Sequence, residues 1–394
     1  MPQFLQADAN IHINNVRTAA PLYMKGFADM TRRGHILFAL MDEMGMFEYN
    51  ATEAARFYQI KVREPDVRTT NDTTRKIFSN HNAYEQCQVG IRWYEATDTL
   101  TEIQWKLNQG KTSLINLYEQ KMKDLGIACK SRLQEWAYRD GNVTPYTDGF
   151  QGFESALADD GNTVAADKVA LPSDSYAGQS TALANFGGSW PSDLSSGQRA
   201  NAQLSNDWPY SIGMANYDAN SPLLLNWSSS SWGAGSGLWE DNCEEVLREG
   251  SAIMQTRNGY LQTGDVPPVV YLLNTKMYTG IKNFYSQRFR MIQPYRDQEV
   301  GFPSQATMTL DGVVVKADGA CPANTFYGLC PQHIELFWMI CMNASTEDGT
   351  PMFDIHGPSW DEATGAYLMR IMAGGNLRMF PKFMIKGKNY ATPS

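Results

Sequence analysis

The run Leu310-Asp311-Gly312-Val313-Val314-Val315-Lys316-Ala317-Asp318 is followed at once by Cys321-Pro322-Ala323-Asn324-Thr325-Phe326-Tyr327-Gly328-Leu329 and then by His333-Ile334-Glu335-Leu336. β-Branched and aromatic residues bounded by Asp, Gly and Pro read as a strand, an acidic turn, a Pro-containing hook, a second strand and a third short apolar run. Strands this closely spaced belong to one compact unit. No reacting group stands out among them, so the stretch reads as a building block.

With 394 residues the chain can bury a substantial core and has room for about two or three domains. Aromatic residues make up 12% and charged residues only 19%. That balance suits a protein that buries much of its surface against copies of itself. The formal charge of −9 argues against tight non-specific binding of nucleic acid by the whole molecule. Almost all of the acid excess lies in one segment: residues 141–260 carry 4 basic and 14 acidic groups, whereas 61–140 carry 13 and 11. A solvated outer surface is the simplest expectation for 141–260.

The first thirty residues lack the basic start and unbroken apolar run of a secretory signal, and no later stretch approaches a membrane span. The longest apolar run is Ile36-Leu37-Phe38-Ala39-Leu40-Met41. Cys87, Cys129, Cys243, Cys321, Cys330 and Cys341 are too few and scattered for a disulfide framework. These are the marks of a soluble chain made in a reducing compartment. A start at Met1 is read as a chain without a removed leader.

Residues 1–55 mix short polar stretches with one apolar helix candidate, Gly34 to Met46, and read as an arm that needs a partner to be ordered. From Arg56 the period changes to two. Tyr58, Ile60 and Val62 alternate with polar neighbours, and after Glu64-Pro65-Asp66 a second alternating run appears, Cys87, Val89, Ile91 and Trp93. The two can pair as a long hairpin with little core of its own, which must lie on something else. Thr99-Leu100-Thr101-Glu102 has the spacing of a capping box. Beyond it, Leu100, Ile103, Leu107, Leu114, Tyr118, Met122, Leu125, Cys129, Leu133 and Trp136 keep a helical period. Gly110 is expected to divide a short helix from a long one over Lys111 to Arg139, stopped by Asp140-Gly141. The opposite face of the long helix carries Lys111, Lys121, Lys123, Lys130 and Arg139.

Residues 142–232 are rich in Gly, Ser, Ala, Asn and Asp and read as loops or a surface excursion, with Trp190, Trp208, Trp227 and Trp232 arguing against disorder. A globular pattern resumes at Leu238. An amphipathic helix carrying Trp239, Cys243, Val246, Leu247 and Met254 is expected to end near Asn258-Gly259. A buried strand at Pro268 to Leu273 follows, then a helix from Asn274 to about Arg290 capped by Asn274 or Thr275.

The order of these parts carries a resemblance: an arm, a hairpin with Glu64-Pro65, the Asn108-Gln109-Gly110-Lys111 joint, a long helix and a Gly/Ser-rich crossover. After them come Trp239-Glu240-Asp241-Asn242-Cys243, Pro268 to Leu273 with its helix, and the Cys321-Pro322-Ala323-Asn324-Thr325 hook. The chain resembles major capsid proteins of tailed double-stranded DNA phages with the Hong Kong 97-type fold. That resemblance implies an α+β chain with an N-terminal arm (1–55), an E-loop hairpin (56–98), a first P-domain part with the spine helix (99–150) and a crossover (151–232). An α/β A-domain (233–335) and a P-domain return (336–394) complete it, the return using Ala366 to Met372, Asn376 to Phe380 and Phe383 to Ile385.

The implied function is assembly. Copies would form hexamers and pentamers and tile an icosahedral shell around the phage DNA, touching the genome only through weak non-specific contacts. The implied partners are the chain itself, a separate scaffolding protein, a portal and a decoration protein, with assembly in the host bacterial cytoplasm and residence in the virion. No membrane, cofactor or metal is implied. Some members of the fold cross-link an E-loop lysine to a neighbour's asparagine; Lys61 and Lys76 fall in the matching region without a motif that singles either out.

Catalytic alternatives are weaker. His12, His35, His81, His333 and His356 sit in neither a nucleophile elbow nor a metalloprotease helix. Cys330-x-x-His333 with Cys321 and Cys341 would need four groups on alternating strand faces to converge on zinc. Gly233, Gly235 and Gly237 precede a helix but lack the strand that a dinucleotide loop requires. Glu240, Asp241, Glu244 and Glu245, with the tryptophans as sugar platforms, define the alternative of a carbohydrate-binding or glycoside-hydrolase-like protein. Acidic residues in a first helical turn equally complement the helix dipole. No catalytic, cofactor or metal residue is therefore assigned.

Overall fold

The computed structural model describes residues 36–43, 47–49, 54–60, 84–108, 117–147, 149, 151–159, 168–170, 175–181, 222–258, 269–288, 307–310, 313–338 and 354–390. In chain order these form α1 (Ile36–Glu43), β1 (Phe47–Tyr49), β2 (Ala54–Ile60), β3 (Tyr84–Gly90), β4 (Arg92–Thr101), α2 (Glu102–Asn108) and α3 (Leu117–Ala137). Three short strands follow, β5 (Val169–Ala170), β6 (Ser175–Tyr176) and β7 (Gln179–Ser180), then β8 (Leu223–Asn226), α4 (Trp239–Asn258), β9 (Val270–Leu273) and α5 (Thr275–Arg288). The rest is strand: β10 (Thr307–Leu310), β11 (Val313–Ala317), β12 (Thr325–Leu329), β13 (Ile334–Trp338), β14 (Asp354–Asp361), β15 (Ala366–Met379) and β16 (Met384–Lys388).

The first sheet is built around β15, whose 14 residues span roughly 45 Å at the usual strand rise. Along one edge it pairs antiparallel with β4, from Ala366 opposite Thr101 to Gly375 opposite Arg92. It also pairs antiparallel with β14 over Ala366–Met372 and with β13 over Gly375–Met379. Gly375 thus has a partner on both sides, Arg92 and Trp338. β1 adds to β13 in parallel, Phe47 opposite Leu336. The helix α3 packs on β4 and β15 and buries Leu133, Ala137 and, just beyond its end, Tyr138.

The second sheet has the order β10-β11-β9-β12-β16-β8-β5 and is covered on both faces. In β9, Val270 and Leu272 join the core shared with α3 and the first sheet, while Tyr271 and Leu273 join the core under α4 and α5. The strands β8 and β12 alternate in the same way: Leu224, Tyr327 and Leu329 point to the first core, and Leu223, Leu225 and Phe326 to the second. This explains the unbroken apolar runs at 223–225 and 270–273, which a sheet wet on one face would not need.

Several expectations are met closely. The helix expected from Leu238 is α4, the buried strand is β9, and Asn274 caps α5 by accepting the Lys276 amide through Oδ1 at 3.0 Å. Four are corrected. The capping pair is Thr101 and Gln104, not Thr99 and Glu102: the Gln104 amide donates to Thr101 Oγ1 and the Thr101 amide donates to Gln104 Oε1, both at 3.3 Å. Thr99 is held in β4, which runs on to Thr101. The long helix ends at Ala137 rather than Arg139, and its expected start at Lys111 lies outside the described residues.

Part of the segment read as an arm belongs to the core, since Leu37, Leu40 and Met41 are fully buried and β1 pairs with β13. Ile385 and its neighbours, expected to complete the sheet of Ala366 to Phe380, instead place β16 in the second sheet, antiparallel to β12 and parallel to β8. Two faces of burial favour that position: Met384 enters one core and Ile385 the other.

Candidate assembly surfaces

The hairpin expected from the two alternating runs is present. β2 and β3 pair antiparallel, from Ala54 opposite Gly90 to Ile60 opposite Tyr84. They form a two-stranded sheet separate from the two large ones. The support for its root comes from within the chain. Cys87 and Val89 are buried in the first core, and the Gln88 amide donates to the Ala177 carbonyl of the β6–β7 turn at 3.4 Å. Tyr176 fastens that turn to β15: its hydroxyl donates to Leu377 O at 2.5 Å and accepts the Met379 amide at 3.2 Å. Burial pushes the Tyr176 phenol well above its ordinary range. Lys61 and Lys76 lie outside the described residues.

The alternation that places Cys87, Val89, Ile91 and Trp93 on one face changes phase at Ile91, which separates β3 from β4. In β4 it is Tyr94 and Leu100 that point inward, while Trp93 is 62% exposed. Directly opposed residues share a face, so Trp93, Glu95, Thr97 and Thr99 stand beside Gly374, Met372, Arg370 and Leu368 on the side of the first sheet away from α3. Arg370 and Glu95 approach to 3.7 Å there, an exposed pair of little energetic weight. At the far end of the sheet Tyr367 lies between Trp105 and Trp360, at ring separations of 4.9 and 5.0 Å, with Ile103 exposed nearby. Trp93, Ile103, Trp360 and Leu368 are the large apolar groups exposed around this sheet, while Trp105 and Tyr367 are half-buried.

The basic side of the long helix is partly engaged. Lys121 donates to Thr99 O at 2.7 Å and lies 3.2 Å from Asp98, and Arg132 pairs with Glu135 at 2.8 Å. Arg139 stands over the Tyr146 ring. Lys111 lies outside the described residues.

Asp241, Glu244, Glu245 and Glu249 of α4 line a cleft of about 550 Å³ with Gly233, Ala234, Arg248 and Phe284, and Glu240, in the first turn of the helix, is not part of its lining. Each of these four carboxylates is engaged in the local structure. Glu245 accepts the Gly233 amide at 2.6 Å, Asp241 accepts the Ser236 hydroxyl at 2.7 Å, Glu244 pairs with Arg248 at 2.6 Å, and Lys168 lies 3.2 Å from Glu249. Glu245 and Asp241 thereby order the turn 233–237 against the start of α4. Trp227 and Trp232 are buried in the second core and offer no sugar platform, and Trp190 and Trp208 lie outside the described residues.

The cysteine and histidine groups do not converge. Cys321 belongs to the first core and Cys330 to the second, and Cys341 lies outside the described residues. His333 stacks on Phe383 with ring centroids 3.7 Å apart; burial, and then the charge of Lys382, lower its pKa to about 4. Among the described residues no three His, Cys, Asp or Glu side chains are grouped to hold a metal ion, and no helix is long and apolar enough to cross a membrane. His12, His35 and His81 lie outside the described residues, and His356 is paired through its backbone in β14.

No protein-family model matches the chain, and no curated protein matches it. Solved structures do. A subunit of the cyanophage A-1(L) capsid superimposes with a TM-score of 0.58 at 11% identity, covering 94% of this chain and 96% of that one. An encapsulin from Synechococcus elongatus PCC 7942 and the capsid of a native GTA particle each give 0.49 at 8% identity. The first covers 94% of both chains and the second 93% of this chain and 95% of that one. The chain therefore has the fold of a phage capsid subunit, the Hong Kong 97-type fold that the order of its motifs resembles.

Proposed function

We propose that this chain is the major capsid protein of a tailed phage, a structural protein that assembles as hexamers and pentamers into an icosahedral shell around double-stranded DNA. The observation that carries the reading is the end-to-end match to the cyanophage capsid subunit, which leaves little of either chain over for another role. The exposed Trp93 and Leu368 face and the Trp105, Tyr367 and Trp360 cluster support it, as surfaces suited to burial against further copies. The engagement of Asp241 and Glu245 with the 233–237 turn, and of Glu244 with Arg248, favours a structural over a hydrolytic role.

In this reading β2 and β3 begin the E-loop, α3 is the spine helix, and β4, β13, β14 and β15 with α3 make the P-domain. The A-domain comprises the second sheet with α4 and α5, closed by β16. The E-loop reaches across a neighbouring subunit. Scaffolding, portal and decoration proteins are the expected partners, supplied by other chains, and the genome contributes weak contacts along the inner surface.

Electron microscopy of the chain expressed alone, and together with neighbouring phage assembly genes, tests this. Polyhedral shells or hexameric rings are expected; small closed oligomers under every condition would overturn it.

A further inference from the structure

One buried carboxylate, Asp318, and one half-buried carboxylate, Glu154, stand where the second sheet meets the end of α3. Asp318, directly after β11, is 1% exposed. It accepts Gln134 Nε2 at 2.8 Å on both oxygens, the Tyr138 hydroxyl at 2.8 Å and the Ala320 amide at 2.9 Å. Glu154, in the 3-10 turn at Phe153–Ser155, accepts Lys386 Nζ at 2.6 Å and the Tyr327 hydroxyl. Lys386, itself 3% exposed, also donates to Leu157 O at 3.2 Å. Between the two carboxylates the rings of Tyr138, Phe153 and Tyr327 touch one another at centroid separations of 5.4 to 5.7 Å.

The connectivity matters more than the burial. Gln134 and Tyr138 belong to α3 and its end, and Glu154 to the segment that follows. Asp318, Tyr327 and Lys386 sit on β11's exit, β12 and β16 of the second sheet. Apolar contact between these layers is non-directional. The Asp318 carboxylate, removed from water, is stable there only while its donors remain in place.

We propose that this node is a lock: it fixes α3 to the second sheet, so that the two sheets move as one body.

Hydrogen exchange on the purified full chain tests the lock. In Asp318→Asn and Glu154→Gln, amides of Ala320, Cys321 and the last turn of α3 should exchange at least tenfold faster, while those of β4, β15 and α4 keep wild-type protection. Gln134→Leu, which removes one donor and leaves an apolar side chain of similar length, should give the same pattern more weakly and serves if the carboxylate variants do not fold. Tyr271→Phe, which loses a buried hydroxyl in the other core, should leave the α3 end unchanged. Protection lost evenly across all elements, or unchanged at the node, would overturn the lock.

Discussion

Trp338 of β13 lies flat over Gly375, the residue directly opposite it on β15. A Cβ at position 375 would overlap the indole ring. The second sheet repeats the device, with Phe326 of β12 over Gly387 of β16, again a directly opposed pair. An aromatic ring laid over a strand glycine covers the backbone that the missing side chain would expose. Gly375→Ala and Gly387→Ala should each destabilise the chain by about 1–3 kcal/mol through overpacking, read from denaturant midpoints. Gly90→Ala, where a Cβ would meet nothing within 4 Å, is the control and should change stability by less than about 0.5 kcal/mol.

The start of α2 gives a cleaner contrast. Thr101 and Gln104 exchange backbone and side-chain hydrogen bonds, whereas Thr99 is an exposed strand residue. Thr101→Ala should cost about 1 kcal/mol, the usual loss for an N-cap hydroxyl, and Thr99→Ala should stay within about 0.5 kcal/mol. Equal losses would place the cap where sequence spacing first suggested. Thermal melts of the two variants suffice.

The hairpin separates folding from assembly. Its root at Cys87 and Val89 is buried in the chain's own core, so shortening the segment beyond the paired strands should leave the fold intact. Deleting residues 66–83, with a short Gly/Ser bridge, should give a soluble chain with a melting temperature close to wild type that no longer closes shells. Normal particles from this deletion would show the loop to be dispensable; an unfolded product would show that the root is not self-supporting.

What the sequence made legible was local. Period-two and period-3.6 patterns locate the hairpin strands, α4 and α5, because each reports one face against one core, and the unbroken apolar run locates β9, which is buried on both faces. Alternation alone puts Trp93 on the buried face; a single residue, Ile91, flips the phase between β3 and β4, and a change of phase leaves no compositional mark. The spacing of Thr99 to Glu102 is that of a cap, but the pairing of Thr101 with Ala366, a contact distant in sequence, carries the strand two residues further. The same holds for β16: five residues with burial on both faces fit either sheet until a partner strand is specified. Asp318 and Glu154 look like ordinary turn residues in sequence, and only the packing of α3 against the second sheet makes them a node.

His333 makes part of the stability pH-dependent. Stacked on Phe383 and close to Lys382, it is held neutral, with its pKa lowered from 6.5 to about 4 by burial and by the lysine's charge. A folded-state pKa below the unfolded one means that the unfolded chain takes the proton first. Stability is therefore complete above about pH 6.5, declines as pH falls through the interval, and has lost this contribution by about pH 4. The imidazole is partly open to solvent, so the loss is smaller than the shift alone would give. His333→Gln keeps a polar planar group without the titration and should flatten the stability curve between pH 6.5 and 4 relative to wild type, in denaturant midpoints taken at half-unit pH steps. Parallel curves for the two proteins would show that His333 is not the group whose proton uptake accompanies unfolding in that window.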